Sequence, residues 1–272
     1  MDVLAYLSER SQLVDSLLDR AIPPAGEPPE RLHAAMRHLL FPGGKRLRPA
    51  LAFAGAEAVG GRPEQALPLA AAVELVHTYS LVHDDLPCMD DDAVRRGRPS
   101  VHVAFGEAVA VLAGDALLAA AFEVLAGAPA TTVRELARAA GSRALVGGQA
   151  DDLARDAGPA DAARIESIHQ RKTGALLAVA VVEGARLAGA GEAPLARLRR
   201  LGECLGLGFQ IADDLLDRGR DEASSLARVL GEAGARRRAE ALLEEALAQL
   251  EGWGERAEPL RELARFAVRR ER

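Results

Sequence analysis

Apolar residues recur three and four apart along most of the chain, as in Leu242-Leu243-Ala246-Leu247-Leu250, the spacing that lines one face of an α-helix. Ala, Leu, Arg and Glu dominate, and the strand formers Ile, Tyr, Phe and Trp are scarce. Breakers punctuate the pattern at Pro23-Pro24 to Pro28-Pro29, Gly60-Gly61-Arg62-Pro63, Gly127 to Pro129, Gly158-Pro159, Gly189 to Pro194 and Gly231 to Gly234. They predict roughly ten or more helices joined by short connections. No alternating apolar and polar run predicts a sheet, and no fixed period predicts a solenoid, so the expected fold is all-α. Leu69 to Leu81, Ala108 to Leu125 and Gly174 to Leu187 are apolar on most faces and are expected to be central helices. Arg236 to Leu250 is amphipathic and is expected to lie outside, with its charges in water.

Composition narrows the function. With 34 basic and 40 acidic residues among 272, the net charge of -6 argues against a nucleic-acid partner, because phosphate binding rests on clustered Lys and Arg. A hydrophobic content of 49% argues against disorder. Cys88 and Cys204 are too few for a disulfide framework and lack zinc-site spacing. The opening residues carry no basic-then-apolar leader, and no run approaches ~18 uncharged apolar residues. A cytoplasmic protein with no stable membrane insertion is expected, with residues 1–272 as a single domain. Only Lys45 and Lys172 are lysines. They mark places where a compact point charge is called for, or else fall there by chance.

Asp84-Asp85-Leu86-Pro87-Cys88-Met89-Asp90-Asp91-Asp92 crowds five carboxylates at the end of an apolar segment. Such crowding is costly without cations. Pro87 stops the helix, so the later aspartates are expected to fold back toward Asp84. Clustered hard oxygens suit Mg²⁺, which keeps several waters and bridges a few carboxylates to substrate phosphates; a solvated acidic loop is the plainer alternative. A second cluster, Asp213-Asp214-Leu215-Leu216-Asp217, follows the apolar run Leu205 to Phe209, with Asp213 and Asp217 on one helical face. The two clusters suggest two walls of one cavity that holds an anion through metal. Gly43-Gly44-Lys45-Arg46-Leu47-Arg48-Pro49 and Arg95-Arg96-Gly97-Arg98 add two basic sites suited to a second anion. The glycine spacing before Lys45 is not that of a P-loop.

These segments, with Gly114-Asp115-Ala116-Leu117, Gly148-Gln149, Lys172-Thr173-Gly174 and Gly208-Phe209-Gln210, occur in one order. In that order the chain resembles the trans-isoprenyl diphosphate synthases, or polyprenyl synthetases, and most closely the bacterial farnesyl diphosphate synthases. The resemblance implies a helical bundle around a deep central cavity, a homodimer, and condensation of an allylic diphosphate with isopentenyl diphosphate. It implies Mg²⁺, three per active site, held by Asp84 and Asp90 with Asp85 and Asp91 nearby, and by Asp213 and Asp217. Arg95, Lys172, Thr173 and Gln210 correspond to the family's contacts to the allylic substrate. Lys45, Arg48, His77 and Arg96 correspond to its contacts to isopentenyl diphosphate. Tyr79 and Ser80 lie five and four residues before Asp84, roughly 6 to 8 Å down the helix. In the family a bulky aromatic there floors the product cavity and implies a C15 product; for Tyr79 ordinary core packing is the alternative.

One departure stands out. Where the family carries a Gly- and Lys-rich loop after the second motif, Arg218-Gly219-Arg220-Asp221-Glu222-Ala223-Ser224-Ser225 runs almost directly into Leu226-Ala227-Arg228, without a lysine. The shortened loop keeps open a weakly active or non-catalytic partner subunit of a heteromeric synthase. Geranyl or geranylgeranyl diphosphate remain alternative products. Paired aspartate clusters favour an active enzyme, and the Lys45 and Arg48 site has no use in a terpene cyclase.

Overall fold

The computed structural model describes residues 1–154, 161–216 and 225–269. The chain folds into α1 (Val3–Ala21), α2 (Glu30–Leu40), α3 (Leu47–Ala58), α4 (Pro63–Asp84), a hairpin of β1 (Val94–Arg95) and β2 (Arg98–Pro99), α5 (Val101–Phe105) and α6 (Glu107–Leu125). There follow α7 (Ala130–Ala140), α8 (Leu145–Leu153), α9 (Ala162–His169), a π-helical turn (Gln170–Gly174), α10 (Ala175–Leu187), α11 (Glu192–Leu216), α12 (Leu226–Ala248) and α13 (Glu258–Val268). The all-α expectation holds, and the described chain divides into two compact units.

One unit comprises Leu7–Ala50 and Leu67–Pro129. Its spine is α4, where Leu69, Val73, Leu75 and Val76 are fully buried as the apolar pattern predicts. α6 crosses the end of α4 closely at Gly114. A Cβ there would lie 2.0 Å from His83 Nε2, and that nitrogen is hydrogen-bonded to Val111 O at 3.0 Å. Contrary to expectation, α6 is not enclosed within the chain: Val111 and Leu112 are 42% and 55% exposed. Among the described residues it is long and apolar enough to cross a membrane, by length and composition. The hairpin was not expected either, because strands of two residues leave no period. Its turn residues Arg96 and Gly97 both have positive φ, 55° and 72°, as a tight hairpin turn of this length requires.

The other unit comprises Met1–Tyr6, Leu51–Ala66 and Ala130–Arg272. α11 packs along α12, α10 and α13, and α10 packs on α7. α3 and α10 meet through small residues, where a Cβ on Gly55 would lie 2.3 Å from Val181 O and one on Gly184 2.1 Å from Ala52 O. α12 runs through the predicted break with a kink at Gly231 (φ 69°) and buries Leu242, Leu243 and Ala246, its expected apolar face.

Gly184→Ala tests the close crossing. Alanine is ordinarily worth about 1 kcal/mol over glycine in a helix, yet here overpacking against backbone outweighs it and stability falls by roughly 1–3 kcal/mol. Urea unfolding reads this as a lower midpoint; a raised midpoint would show that α3 and α10 separate freely.

Candidate active site

α4 ends at Asp84, and Pro87 lacks the N–H needed to continue it. The chain doubles back so that Asp90 N–H donates to Asp84 O at 2.9 Å and Asp91 N–H to Leu86 O at 3.1 Å. Asp91 supplies the reversal with a left-handed φ of 54°, a conformation a short polar side chain tolerates. The expected fold-back is therefore present, with Asp84 half-buried and Asp90 and Asp91 exposed.

Asp85 stands apart from these. It is fully buried, and its Oδ1 accepts from Arg95 Nε at 2.9 Å and Nη2 at 2.6 Å, while Nη2 also donates to Asp92 Oδ2 at 2.8 Å. Burial pushes the Asp85 carboxyl up, and the Arg95 hydrogen bond and charge oppose it. Arg95 is raised above its ordinary value because the bond to Asp85 and the nearby carboxylates outweigh burial. Among the described residues Asp85 Oδ2 is buried with no hydrogen-bond partner, an acceptor left over for a donor or cation. Beneath this loop Tyr79 is buried, its hydroxyl without a partner among the described residues, and burial, then Asp84, pushes its pKa up to about 12. Its ring meets His83 edge-on at 5.8 Å. Ser80 Oγ donates to His77 O at 2.9 Å.

The basic residues gather at the C-terminal end of α2, whose last carbonyls have no helical partner. Arg96 Nη1 donates to Leu39 O at 2.8 Å, Arg46 Nη2 to Leu40 O at 2.7 Å, and Arg98 Nη1 to His38 O at 3.2 Å and Phe41 O at 3.0 Å. Arg46 is 3% exposed and completes its bonds with Glu74 Oε1 at 2.5 Å and Asp15 Oδ1 at 2.9 Å. Its guanidinium fills the space a Gly43 side chain would need, 2.1 Å from that Cβ position, and Arg96 lies 3.0 Å from the one on Gly44. Both arginines adopt positive φ. Lys45 is left exposed and Arg48 half-buried. His77 belongs to this group: burial, then the charges of Arg48, Arg96, Arg46 and Arg95, holds its imidazole well below the usual range and so neutral near pH 7.

In the other unit the π-helical turn carries Lys172 and Thr173. Lys172 Nζ donates to Asp152 Oδ2 at 2.7 Å and Thr173 Oγ1 to Gln210 Oε1 at 2.8 Å, so three of the four residues matched to the allylic substrate are joined. Arg95, the fourth, belongs to the first unit. Gly148 permits the approach of α8, since a Cβ would lie 2.4 Å from Lys172 N. On α11 Asp213 is half-buried, and Asp214 Oδ2 accepts the Leu226 N–H at 2.7 Å, capping α12. Asp217 and the shortened loop through Ser224 lie outside the described residues.

The chain matches the model of the Polyprenyl synthetase family over residues 29–243. It belongs to that family. It is 42% identical over 298 residues to the heterodimeric geranylgeranyl pyrophosphate synthase large subunit 1 of Arabidopsis thaliana, covering 99% of this chain and 80% of the relative. A dimethylallyltranstransferase of Fischerella ambigua is 42% identical, covering 97% of this chain and 83% of its own. Among solved structures, an FPP/GFPP synthase from Zymomonas mobilis superposes with a TM-score of 0.92 at 40% identity, covering 98% of this chain and 99% of that one. Like these polyprenyl synthetases, the chain is a prenyltransferase with the all-α isoprenoid synthase fold, acting on small diphosphates.

Three residues of this polyprenyl synthetase carry structure that its sequence does not reveal. Arg46 draws on Asp15 and Glu74, 31 and 28 residues away, at distances no local pattern reports. Asp152 follows Gln149 by one helical turn, and only its adjacency to the Gly148-Gln149 motif hinted at a role. Gln149 itself is buried, with neither polar atom of its amide partnered among the described residues.

Removing the buried carboxylate with Glu74→Ala leaves Arg46 only the half-exposed Asp15 as a counter-charge and lowers stability by about 3–5 kcal/mol, the cost of breaking a buried pair. Denaturant titration checks it, and a loss below about 1 kcal/mol, typical of surface pairs, would show that the pair does not anchor the basic turn.

Proposed function

We propose that this prenyltransferase condenses isopentenyl diphosphate with dimethylallyl and then geranyl diphosphate, giving farnesyl diphosphate. The observation that carries the product length is Tyr79, a buried aromatic whose hydroxyl has no partner, five residues before Asp84 on α4. A ring at that depth closes the path of a growing chain. The geranylgeranyl diphosphate in the name of the Arabidopsis relative favours a C20 product as the second reading.

Asp84 and Asp90, with Asp85 and Asp91 nearby, are the residues we assign to Mg²⁺ on the allylic diphosphate, and Asp213 and Asp217 to a further Mg²⁺. The residues fit the ion: all donors are hard carboxylate oxygens, and the buried Asp85 Oδ2 awaits a partner. Among the described residues no three acidic, His or Cys side chains come together as a metal-holding group, so water and the substrate phosphates would have to supply the remaining ligands. When bound, Mg²⁺ supplies positive charge to the departing pyrophosphate.

The chain's own residues do the rest. Lys172, oriented by Asp152, and Arg95, oriented by Asp85 and Asp92, stabilise the charge that gathers on the leaving pyrophosphate as the allylic C–O bond breaks. Thr173 and Gln210 position the reacting end. Lys45, Arg48 and Arg96 hold isopentenyl diphosphate, and a neutral His77 beside them donates a hydrogen bond without adding a fourth repelling charge. The isopentenyl double bond then attacks the allylic carbon, and a proton leaves to the released pyrophosphate. The free thiols of Cys88 and Cys204 fit a reducing, cytoplasmic setting.

A homodimer is the assembly we assign, through the apolar face of α6. Val111 and Leu112 are exposed on a 19-residue, strongly apolar helix, with Val103 of α5, 53% exposed, before it. A self-complementary apolar face is what a two-fold contact buries. Leu112→Glu should shift the protein from dimer to monomer in sedimentation velocity; a wild-type monomer would refute the assembly.

The deciding assay gives purified protein Mg²⁺, isopentenyl diphosphate and dimethylallyl, geranyl or farnesyl diphosphate. Turnover to a C15 product is expected, and Tyr79→Ala is expected to lengthen it. A C20 product from wild type would favour the second reading. No turnover with any primer would move the protein to a partner-subunit role.

A further inference from the structure

α11 meets the segment before it along one face, at every fourth residue. A Cβ on Gly202 would lie 2.5 Å from Ala178 Cα, and one on Gly206 2.3 Å from Gly174 Cα. One turn further on, Gln210 Oε1 accepts from Thr173 Oγ1 at 2.8 Å, and one turn beyond that Asp214 Oδ1 lies 4.0 Å from His169 Nε2. The last three of these contacts fall on the π-helical turn or on the residue that precedes it. The other side of the turn faces α8, where a Cβ on Gly148 would lie 2.4 Å from Lys172 N and Lys172 Nζ donates to Asp152. The turn is clamped between α8 and α11, and the direction of Lys172 depends on both.

A π-turn holds one residue more per turn than an α-helix, so it persists only where contacts hold it. Shedding that surplus would rotate Lys172 by up to about 100° around the axis, away from Asp152. The contacts that prevent this are not equivalent. Lys172 and Thr173 are both assigned to the allylic diphosphate, so substrate competes for the bonds they make to Asp152 and Gln210. The approach of Gly174 to Gly206 is close packing between two residues without side chains. His169 and Asp214 remain, and neither is among the assigned residues. Their side chains are 5% and 1% exposed, and Asp214 is fixed from the far side by the Leu226 N–H on its Oδ2. Packing alone does not call for an imidazole nitrogen beside a buried carboxylate, because buried polar groups cost free energy unless they compensate one another.

We propose that His169 is a positioning residue for the condensation. Through Asp214 it seats the π-helical turn on α11, and so keeps Lys172 aimed at the leaving pyrophosphate while Lys172 and Thr173 engage substrate. The task of Lys172 rests on the prenyltransferase reading; the seating of the turn does not. His169 touches no reacting atom and acts through Lys172. Because Asp214 adjoins Asp213, the same contact holds the second acidic motif and the lysine turn in one register.

The test uses full-length protein with His169→Leu, which keeps the bulk and removes the nitrogens, and His169→Gln, whose amide nitrogen reaches the place of Nε2. His169→Leu should lower kcat about tenfold or more with the KM for isopentenyl diphosphate unchanged, and His169→Gln should recover to within about threefold of wild type. In a Lys172→Ala background His169→Leu should cost less than about twofold more, since the two act as a unit. Amide exchange within Gln170–Gly174 should quicken about tenfold in His169→Leu while α7 and α13 are unchanged. If His169→Leu does not fold, His169→Asn replaces it, because its amide ends short of Asp214. Equal losses in the Leu and Gln variants, full additivity with Lys172→Ala, or a lowered urea midpoint with kcat unchanged would each overturn the proposal by reducing His169 to core packing. Locally quickened exchange in a protein that turns over no primer would keep the seating and sink the prenyltransferase reading. Turnover with exchange unaltered by the variant would do the reverse.

Discussion

The last carbonyls of α2 are the anchor on which the basic residues of the candidate site depend. Four of them, from His38 to Phe41, take guanidinium donors from Arg96, Arg46 and Arg98. A helix C-terminus carries partial negative charge and unpaired acceptors, so it can hold cations together that would otherwise repel. Arg46 is the innermost of them. Because Glu74 and Asp15 neutralise it, its charge is spent inside the fold, and the neighbouring Lys45 and Arg48 are the ones presented outward. Gly43 and Gly44 follow from the same demand, since the Arg46 and Arg96 guanidiniums occupy the space their side chains would need.

The acidic residues obey a matching rule in reverse. Asp85 and Asp92 are tied to Arg95, which leaves the half-buried Asp84 and the exposed Asp90 as the pair that the reversed loop joins. Of the five crowded carboxylates, Asp85 and Asp92 are thus bonded to Arg95, Asp84 is half-buried, and Asp90 and Asp91 are exposed. Asp214 plays the structural part in the second motif, where it caps α12 and leaves Asp213 half-buried beside it. In both motifs one aspartate fixes the local fold while a neighbour keeps its carboxylate out of that bonding, which is the division the proposed metal reading draws on.

Much of the site was legible in the sequence because it is local. Pro87 ending a helix, Asp90 returning to Asp84, and Lys172 with Thr173 on one turn are consequences of residues within a few positions of one another. The Gly114 and Gly148 motifs were visible as patterns, but their reason, a close approach to His83 and to Lys172, needed the packing. The hairpin that aims Arg95 and Arg96 was invisible, as two-residue strands have no period to detect. The exposure of α6 was misjudged, because an apolar helix has the same composition whether it is covered by its own chain or by another.

By itself, then, the sequence determined the helical class, the places where helices stop, and the kinds of charge each segment brings, all of which depend on intrinsic propensity and short-range spacing. Tertiary structure alone decided which charges cancel. Arg46 finds Glu74 and Asp15, Thr173 finds Gln210, and among the described residues Arg134, Arg143 and Arg199 are left unmatched around one cleft. The reason is physical: ion pairing falls off within a few ångströms, and separation along the chain says nothing about distance at that scale until the helices have packed.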